Sequence, residues 1–122
     1  MNHWLAIAAG GAIGALLRYA TATQVANWLG RGFPWGTLAV NVLGSLAMGL
    51  LYVWLVERAG LSGEWRVFLT VGLLGAFTTF STFSIETLVL IEQGDWLRAI
   101  SYVLASVIVC IAAAGLGVWL AR

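Results

Sequence analysis

A run of ten residues, GAFTTFSTFS at 75–84, combines five hydroxyl side chains with three phenylalanines, Phe77, Phe80 and Phe83. An aromatic ring carries partial negative charge on its face and partial positive charge at its edge. Ring edges and hydroxyl hydrogens would therefore offer weak positive poles to an anion that has shed its water. No formal charge in the run would hold that anion too tightly for passage. A phenylalanine stripe at this spacing is also typical of a packed core.

Two further stripes of polar side chains lie in apolar surroundings. Asn41 begins the run NVLGS, and residues 41, 44 and 45 share one helical face. The Asn41 amide could bond a neighbouring helix or act as a donor that lines a pore. Tyr102 and Ser106, at i and i+4, form a similar stripe, in which Tyr102 fits equally well as a packed aromatic residue.

Two ionisable residues, Arg18 and Glu86, lie away from the ends of the apolar segments. An ionisable group inside a membrane is costly and commonly functional. Each could instead snorkel to the interface or take part in a structural pair. If Arg18 reaches a water-filled vestibule, its charge would attract anions.

The elements that carry these residues are predicted to be membrane-spanning helices. The chain has 122 residues, of which 61% are hydrophobic and only 9% charged. A spanning helix needs about 20 apolar residues. Four segments meet this length, at about 4–29, 36–56, 65–91 and 96–121. We therefore predict an all-α membrane protein, a single integral membrane domain over 1–122, in which the second and fourth helices are regular.

The third segment is predicted to be broken near residues 75–79. Gly75 is followed there by threonines and serines, which favour helix interiors little because their hydroxyls can bond the backbone. Non-helical backbone at membrane depth survives only where protein or water surrounds it, so the break should face inward. Carbonyl groups at the end of the first half, gathered on a two-fold axis, could bind a cation.

The arginines favour neither orientation in the membrane. The side that holds both termini carries Arg58, Arg66 and Arg122, whereas the other carries Arg31 and Arg98, with Arg18 if it reaches that side. Orientation normally follows a bias in this count. Its near absence predicts both orientations, hence an antiparallel, dual-topology homodimer. Four helices alone also pack into a solid bundle without room for a lined pore. Four pairs of small residues, such as Gly10 with Gly14 and Ala113 with Gly117, indicate close helix contacts.

Several function classes are disfavoured by the sequence. Lysine is absent and the net charge is only +1, so there is no basic patch for nucleic acid. Cys110 is the only cysteine and His3 the only histidine, so neither an intrachain disulfide nor a nucleophile–base pair is indicated, and an enzyme is not expected. No GxxxxGK[ST] motif for ATP occurs.

Two alternatives to an anion channel remain. Small drug/proton antiporters are also four-helix, dual-topology dimers, but they need an acid within the membrane, and Glu86 is the one candidate. In a non-transporting assembly subunit, the run at 75–84 would be only a packing seam.

Three runs in order resemble the signature motifs of the Fluc-type fluoride channels, also called the CrcB family. They are GGAIGALLRY at 10–19, GTLAVNVLGS at 36–45 and GAFTTFSTFS at 75–84. The last is the most specific, and the resemblance covers the whole chain. Ala76 departs from the pattern, since many relatives have a second glycine there.

The resemblance implies a passive, fluoride-selective channel that exports cytoplasmic fluoride across the inner (plasma) membrane and confers fluoride resistance. It implies an antiparallel homodimer with two pores. Its pore residues would be Phe80, Phe83, Asn41, Thr79, Ser81, Thr82, Tyr102 and Ser106. Arg18 would match an arginine of the first motif, and the main-chain carbonyls of Gly75 and Thr78 from both subunits would hold a structural Na⁺. The chemistry of the residues alone does not separate fluoride from chloride.

Overall fold

The computed structural model describes residues 2–122, and that part of the chain is helical with no β-strand. Two π-helical segments, Val53–Glu57 and Phe68–Leu74, extend or join α-helices. The α-helices are α1 (His3–Leu29), α2 (Trp35–Tyr52), α3 (Gly63–Val67), α4 (Gly75–Phe77), α5 (Phe80–Glu92) and α6 (Trp96–Ala121). Between α4 and α5, Thr78 and Thr79 are not helical.

Taken together, these elements form four segments long and apolar enough to cross a membrane: His3–Leu29, Trp35–Glu57, Gly63–Glu92 and Trp96–Ala121. The prediction of an all-α protein with four membrane-spanning helices is thus confirmed. The predicted bounds differ from these by at most two residues. Most tryptophans lie exposed near the span ends, as in an aromatic belt. The most exposed are Trp4, Trp28, Trp54, Trp65, Trp96 and Trp119.

The second span is not the regular helix that the sequence predicts. Its last turn, Val53–Glu57, is π-helical, and the N–H of Arg58 bonds the Val53 carbonyl five residues back at 2.9 Å. Val53 and Leu55 in that turn are buried. A π-turn inserts one residue without changing which residue types are apolar, so hydropathy does not reveal it. Beyond the turn, Glu57 accepts a hydrogen bond from Arg122 at 2.9 Å, and this bond raises the pKa of the guanidinium.

Glycines let the helices approach until their backbones touch. Gly10 of α1 lies against Gly72 of the π-segment 68–74, where a Cβ on either residue would meet backbone atoms of the other helix. Gly49 of α2 and Gly117 of α6 make the same kind of contact further along. Gly10, Gly14, Gly49 and Gly117 of the small-residue pairs therefore serve packing within one chain. In the bundle, α1 packs mainly on the third span and α2 mainly on α6, and α1 also contacts α2.

We predict that Gly117→Ala destabilises the bundle, whereas Gly115→Ala does not. A Cβ at Gly117 would lie less than 3.0 Å from backbone atoms of Leu46 and Leu50, while a Cβ at Gly115 meets nothing within 4 Å. Overpacking of this kind costs about 1–3 kcal/mol. The apparent melting temperature of the purified protein in detergent measures both variants. Equal melting temperatures for the two variants would contradict this account of the contact.

Candidate functional site

The third span is interrupted at two threonines in extended conformation. Thr78 has φ −91° and ψ 159°, and Thr79 has φ −153° and ψ 119°. Both lie inside the predicted interval 75–79. Thr79 caps the second half of the span, because its Oγ1 accepts a hydrogen bond from the N–H of Thr82 at 3.2 Å. The threonines thus end one helix and begin the next.

Asn41 holds this break through both ends of its amide group. Its Oδ1 accepts from the N–H of Thr79 at 2.8 Å, and its Nδ2 donates to the carbonyl of Thr79 at 3.0 Å. Asn41 thereby satisfies both backbone polar groups of the most extended residue. Of the two alternatives for Asn41, the bond between helices is present. The second N–H of the Nδ2 group is not used by this bond, so a role as donor in a pore stays open.

These bonds leave two carbonyl groups without their helical partners. The N–H of Thr79 would close the α-helical bond to Gly75, but it bonds Asn41. The N–H of Thr82 would close the bond to Thr78, but it bonds the Thr79 hydroxyl. A third carbonyl at the break, that of Ala76, accepts from Nε of Arg18 at 3.0 Å. Carbonyl oxygens suit a hard cation such as Na⁺, so the backbone at Gly75 and Thr78 fits the predicted site. Within residues 2–122 no cluster of three His, Cys, Asp or Glu side chains offers another metal site.

An open groove of about 470 Å³ runs along the break and brings together most of the predicted pore residues. Its lining includes seven of the residues singled out in the sequence: Asn41, Gly75, Thr78, Thr79, Phe80, Phe83 and Ser106. The Ser106 hydroxyl is buried and has no hydrogen-bond partner among the described residues. A buried hydroxyl without a partner is costly unless something else bonds it. Ser106 thus places a buried, unpaired hydroxyl beside the groove.

Phe80 and Phe83 lie side by side in this groove, with ring centroids 5.4 Å apart. Phe83 continues inward to Tyr102, at 5.0 Å. Phe80, by contrast, is 78% exposed on the outer surface of the chain. Within a single chain, therefore, the break is not enclosed on the side of the Phe80 ring. Phe80 and Phe83 are three positions apart in α5 and so point about 60° apart around the helix, which lets one ring be exposed while the other packs on Tyr102.

Tyr102 is fully buried and does not line the groove. Its hydroxyl donates to Glu86 at 2.9 Å, and Thr37 donates to the other oxygen of that carboxylate at 3.0 Å. The two members of the predicted polar stripe therefore differ in position: Ser106 lines the groove, whereas Tyr102 is a packed aromatic residue. Glu86 thus takes part in a structural hydrogen-bond network. The sequence analysis missed Thr37, although its place one turn before Asn41 puts both on one face.

The remaining predicted site residues lie elsewhere. Thr82 and Arg18 line a separate cavity of about 170 Å³ on the other side of the break. Ser81 is exposed and lines neither space, with its hydroxyl 3.3 Å from that of Thr79. A further cavity of about 510 Å³, which the sequence analysis did not predict, opens at the end of the helix bundle where Arg31 and Arg98 lie.

The fold and the site together define a small four-span membrane protein whose third helix is opened by a polar break beside an aromatic groove. The family model described as "CrcB-like protein, Camphor Resistance (CrcB)" matches residues 5–118. The chain belongs to the CrcB family, which confirms the resemblance seen in its motifs.

Curated relatives agree with this assignment over nearly the whole chain. A protein of Magnetococcus marinus is 51% identical over 98% of this chain and 95% of its own length. One of Chelativorans sp. is 52% identical over 100% of this chain and 98% of its own length. One of Methylococcus capsulatus is 53% identical over 96% of this chain, which spans only about half (51%) of that relative. Each is described as "Fluoride-specific ion channel FluC".

We predict that Asn41→Ala lowers the stability of the protein more than Ser45→Ala does. The Asn41 substitution leaves the N–H and the carbonyl of Thr79 without partners at membrane depth, whereas no side-chain hydrogen bond involves Ser45 within the described chain. Each buried group left unpaired costs about 1–3 kcal/mol. Melting curves in detergent compare the two variants. An Asn41→Ala protein as stable as wild type would show that the break does not depend on this amide.

Proposed function

We propose that this chain is a passive, fluoride-selective ion channel that lets cytoplasmic fluoride leave the cell down its electrochemical gradient. The proposal is supported by the family match and by relatives that are described as fluoride-specific ion channels and whose sequences are 51% and 52% identical to this chain. Hydrogen fluoride is a weak acid that crosses membranes as the neutral molecule and ionises inside. Fluoride then accumulates as the anion, and a pore suffices to release it. Channel function requires no enzymatic step.

The groove at the break is the proposed path for the anion, and one observation carries this assignment. The buried, unpartnered hydroxyl of Ser106 lines the same groove as the rings of Phe80 and Phe83. An anion there would lie beside Ser106, two rings and the remaining N–H of Asn41. Tyr102 supports the path by packing on Phe83. Thr79, Ser81 and Thr82 would add hydroxyls along or beside it.

We infer that two antiparallel copies complete the path. In one chain the groove is open on one side, and both Phe80 and Gly75 on that side are exposed. A Cβ at Gly75 would meet nothing closer than 3.5 Å in its own chain, so the space beside it is free for a close neighbour. A second copy in the opposite orientation would close the groove, and the nearly balanced arginine count allows that orientation.

A structural Na⁺ between the two copies is the cation we propose for the break. The carbonyls of Gly75 and Thr78, which lack their helical N–H partners, would supply two oxygens from each chain. The ion would offset the negative partial charge at the ends of two facing half-helices. It is a fixed ion and is not transported.

Efflux from vesicles tests the proposed function directly. Purified protein is reconstituted into liposomes loaded with fluoride or with chloride, and anion release is followed with ion-selective electrodes. We expect fluoride release far above that of empty vesicles and little chloride release. No fluoride release would favour a non-transporting assembly subunit. Proton-coupled efflux of a dye, without anion current, would favour an antiporter that uses Glu86.

Substitutions in the groove should reduce the fluoride flux, and those of the two phenylalanines should do so without preventing folding. We predict that Phe80→Ile, Phe83→Ile and Asn41→Asp each lower it by about tenfold or more, equivalent to about 1.4 kcal/mol in the barrier. The first two remove ring edges, and the third places a negative charge in an anion path. Phe68→Ile is the matched control, since that ring packs on Trp65 and does not line the groove. Unchanged flux in all three groove variants would exclude the groove as the path.

The antiparallel arrangement predicts that the C-terminus lies on both sides of the membrane. A cysteine label added after Arg122 in a variant without Cys110 should react with an impermeant reagent in about half of the chains in whole cells. Permeabilised cells, in which all chains react, serve as the control. Labelling of either all or none of the chains in intact cells would rule out dual topology.

A further inference from the structure

A second groove, of about 550 Å³, lies between α2, the π-segment 68–74 and the last residues of α6. Its lining residues are all alanine or leucine except Trp54, so we call it the aliphatic groove. It shares only Leu74 with the groove at the break. The aliphatic groove is therefore a separate apolar surface, and it contains none of the polar residues that the proposed anion path uses.

The aliphatic groove is nearly as long as one leaflet of a bilayer is deep. Along the second span it runs from Ala47, near the middle of Trp35–Glu57, to Trp54, close to the end. The seven residues from one to the other rise about 10 Å in a helix, and half of the hydrocarbon core is about 15 Å thick. Trp54 is 54% exposed, as is typical of a tryptophan at the membrane interface. An acyl chain that enters beside Trp54 would thus lie along the groove toward the bilayer centre.

Two arginines are held at the mouth of this groove by hydrogen bonds to main-chain carbonyls. Nη2 of Arg58 donates at 2.7 Å to the carbonyl of Ala121, a residue that lines the mouth. Nη2 of Arg66 donates at 3.1 Å to the carbonyl of Leu55, the residue after Trp54. Both arginines are exposed, and each guanidinium has four further N–H donors. The mouth of an apolar groove is therefore surrounded by donors that can still bind an anionic group.

The side chains at this mouth are more basic than acidic. Arg122 forms an ion pair with Glu57, and Glu64 is the other acid at this end, so three arginines stand against two acids. A guanidinium matches the geometry of a phosphate group, which it can bind through two parallel hydrogen bonds. Basic side chains at the membrane surface attract anionic lipids. Apolar lining below and basic groups above together match the two parts of an anionic phospholipid.

We propose that the aliphatic groove binds one acyl chain of an anionic phospholipid, whose phosphate is held by Arg58 and Arg66. A second copy of the chain fits this mouth less well. An antiparallel copy would bring its own Arg31 and Arg98 to the same side of the membrane, where like charges would repel. A choline headgroup would likewise place a cation beside the arginines. The proposal does not depend on whether the chain conducts.

Phosphatidylglycerol and phosphatidylcholine with identical acyl chains separate the effect of the headgroup from that of the chain. Each lipid is titrated into the purified protein at constant detergent concentration. The melting temperature should rise and saturate at a lower concentration of phosphatidylglycerol, because a ligand that binds the folded state stabilises it. In crystals grown with phosphatidylglycerol that carries brominated chains, anomalous peaks should lie between Leu50 and Leu73, which face each other across the groove.

Substitutions of Arg58 test the headgroup contact. Arg58→Gln should raise the phosphatidylglycerol concentration at half-saturation about fivefold, as for the loss of one basic residue beside an anionic lipid surface. Arg58→Lys keeps the charge and should keep the preference for phosphatidylglycerol. Arg98→Gln is the matched control, since it removes one arginine at the opposite end of the bundle and should leave the half-saturation unchanged.

A substitution inside the groove tests the acyl-chain contact. Ala47→Phe would fill part of the space between α2 and the π-segment, so it should abolish the lipid-dependent rise in melting temperature. Ala12→Phe adds the same ring on an exposed face of α1 outside the groove and should leave that rise intact.

The outcomes separate this proposal from the proposed function. Equal half-saturation for the two lipids, or for Arg58→Gln and Arg98→Gln, would overturn the headgroup contact. A segment of a second copy in the groove, or a map without bromine peaks there, would overturn the lipid as its occupant. If Ala47→Phe does not fold, the Arg58 variants and the bromine map still decide. A chain that binds the lipid but releases no fluoride from vesicles would retain this site and lose the channel, and a conducting chain with no bromine in the groove would do the reverse.

Discussion

The two hydrogen bonds between Asn41 and Thr79 are the interaction on which the rest of the structure depends. A polypeptide in a membrane must satisfy every backbone polar group within the protein, and the α-helix does so at the lowest cost. An interruption of the third span is therefore possible only if another group takes over the lost bonds. The Asn41 amide does this for both groups of one residue. One side chain on the second span thus permits an extended turn in the third.

The consequences of this exchange spread along the break. Because Thr79 bonds Asn41 and its hydroxyl caps α5, the carbonyls of Gly75 and Thr78 lose their helical donors. Arg18 then becomes useful as a donor to the next carbonyl, that of Ala76. Polar groups thereby gather on two sides of the break, in the groove with the rings and in the small cavity with Arg18. The helix dipoles of the two halves point their opposite ends at this region, which can attract ions of either sign.

Much of the fold could be predicted from the sequence because membrane spans are specified by length and apolarity. The break was also predictable, since Gly75 and a series of hydroxyl residues stand inside an apolar segment. The directions of individual side chains were not. Phe80 is exposed while Phe83 packs on Tyr102, because positions three apart in α5 point about 60° apart. The hydroxyl of the buried Tyr102 donates to Glu86, which also accepts from Thr37. The two π-helical segments were also not predicted from the sequence, because an inserted residue changes the helix geometry and not the hydropathy.

The glycine contacts between α1 and the third span, and between α2 and α6, join backbone to backbone. A contact between two backbones has no side-chain rotamers that could rearrange, so a larger residue at such a glycine would force the two helices apart. The side chains that surround the break have such freedom. Sequence change can therefore alter the chemistry of the groove one residue at a time, while the glycine contacts between the helices tolerate almost no substitution.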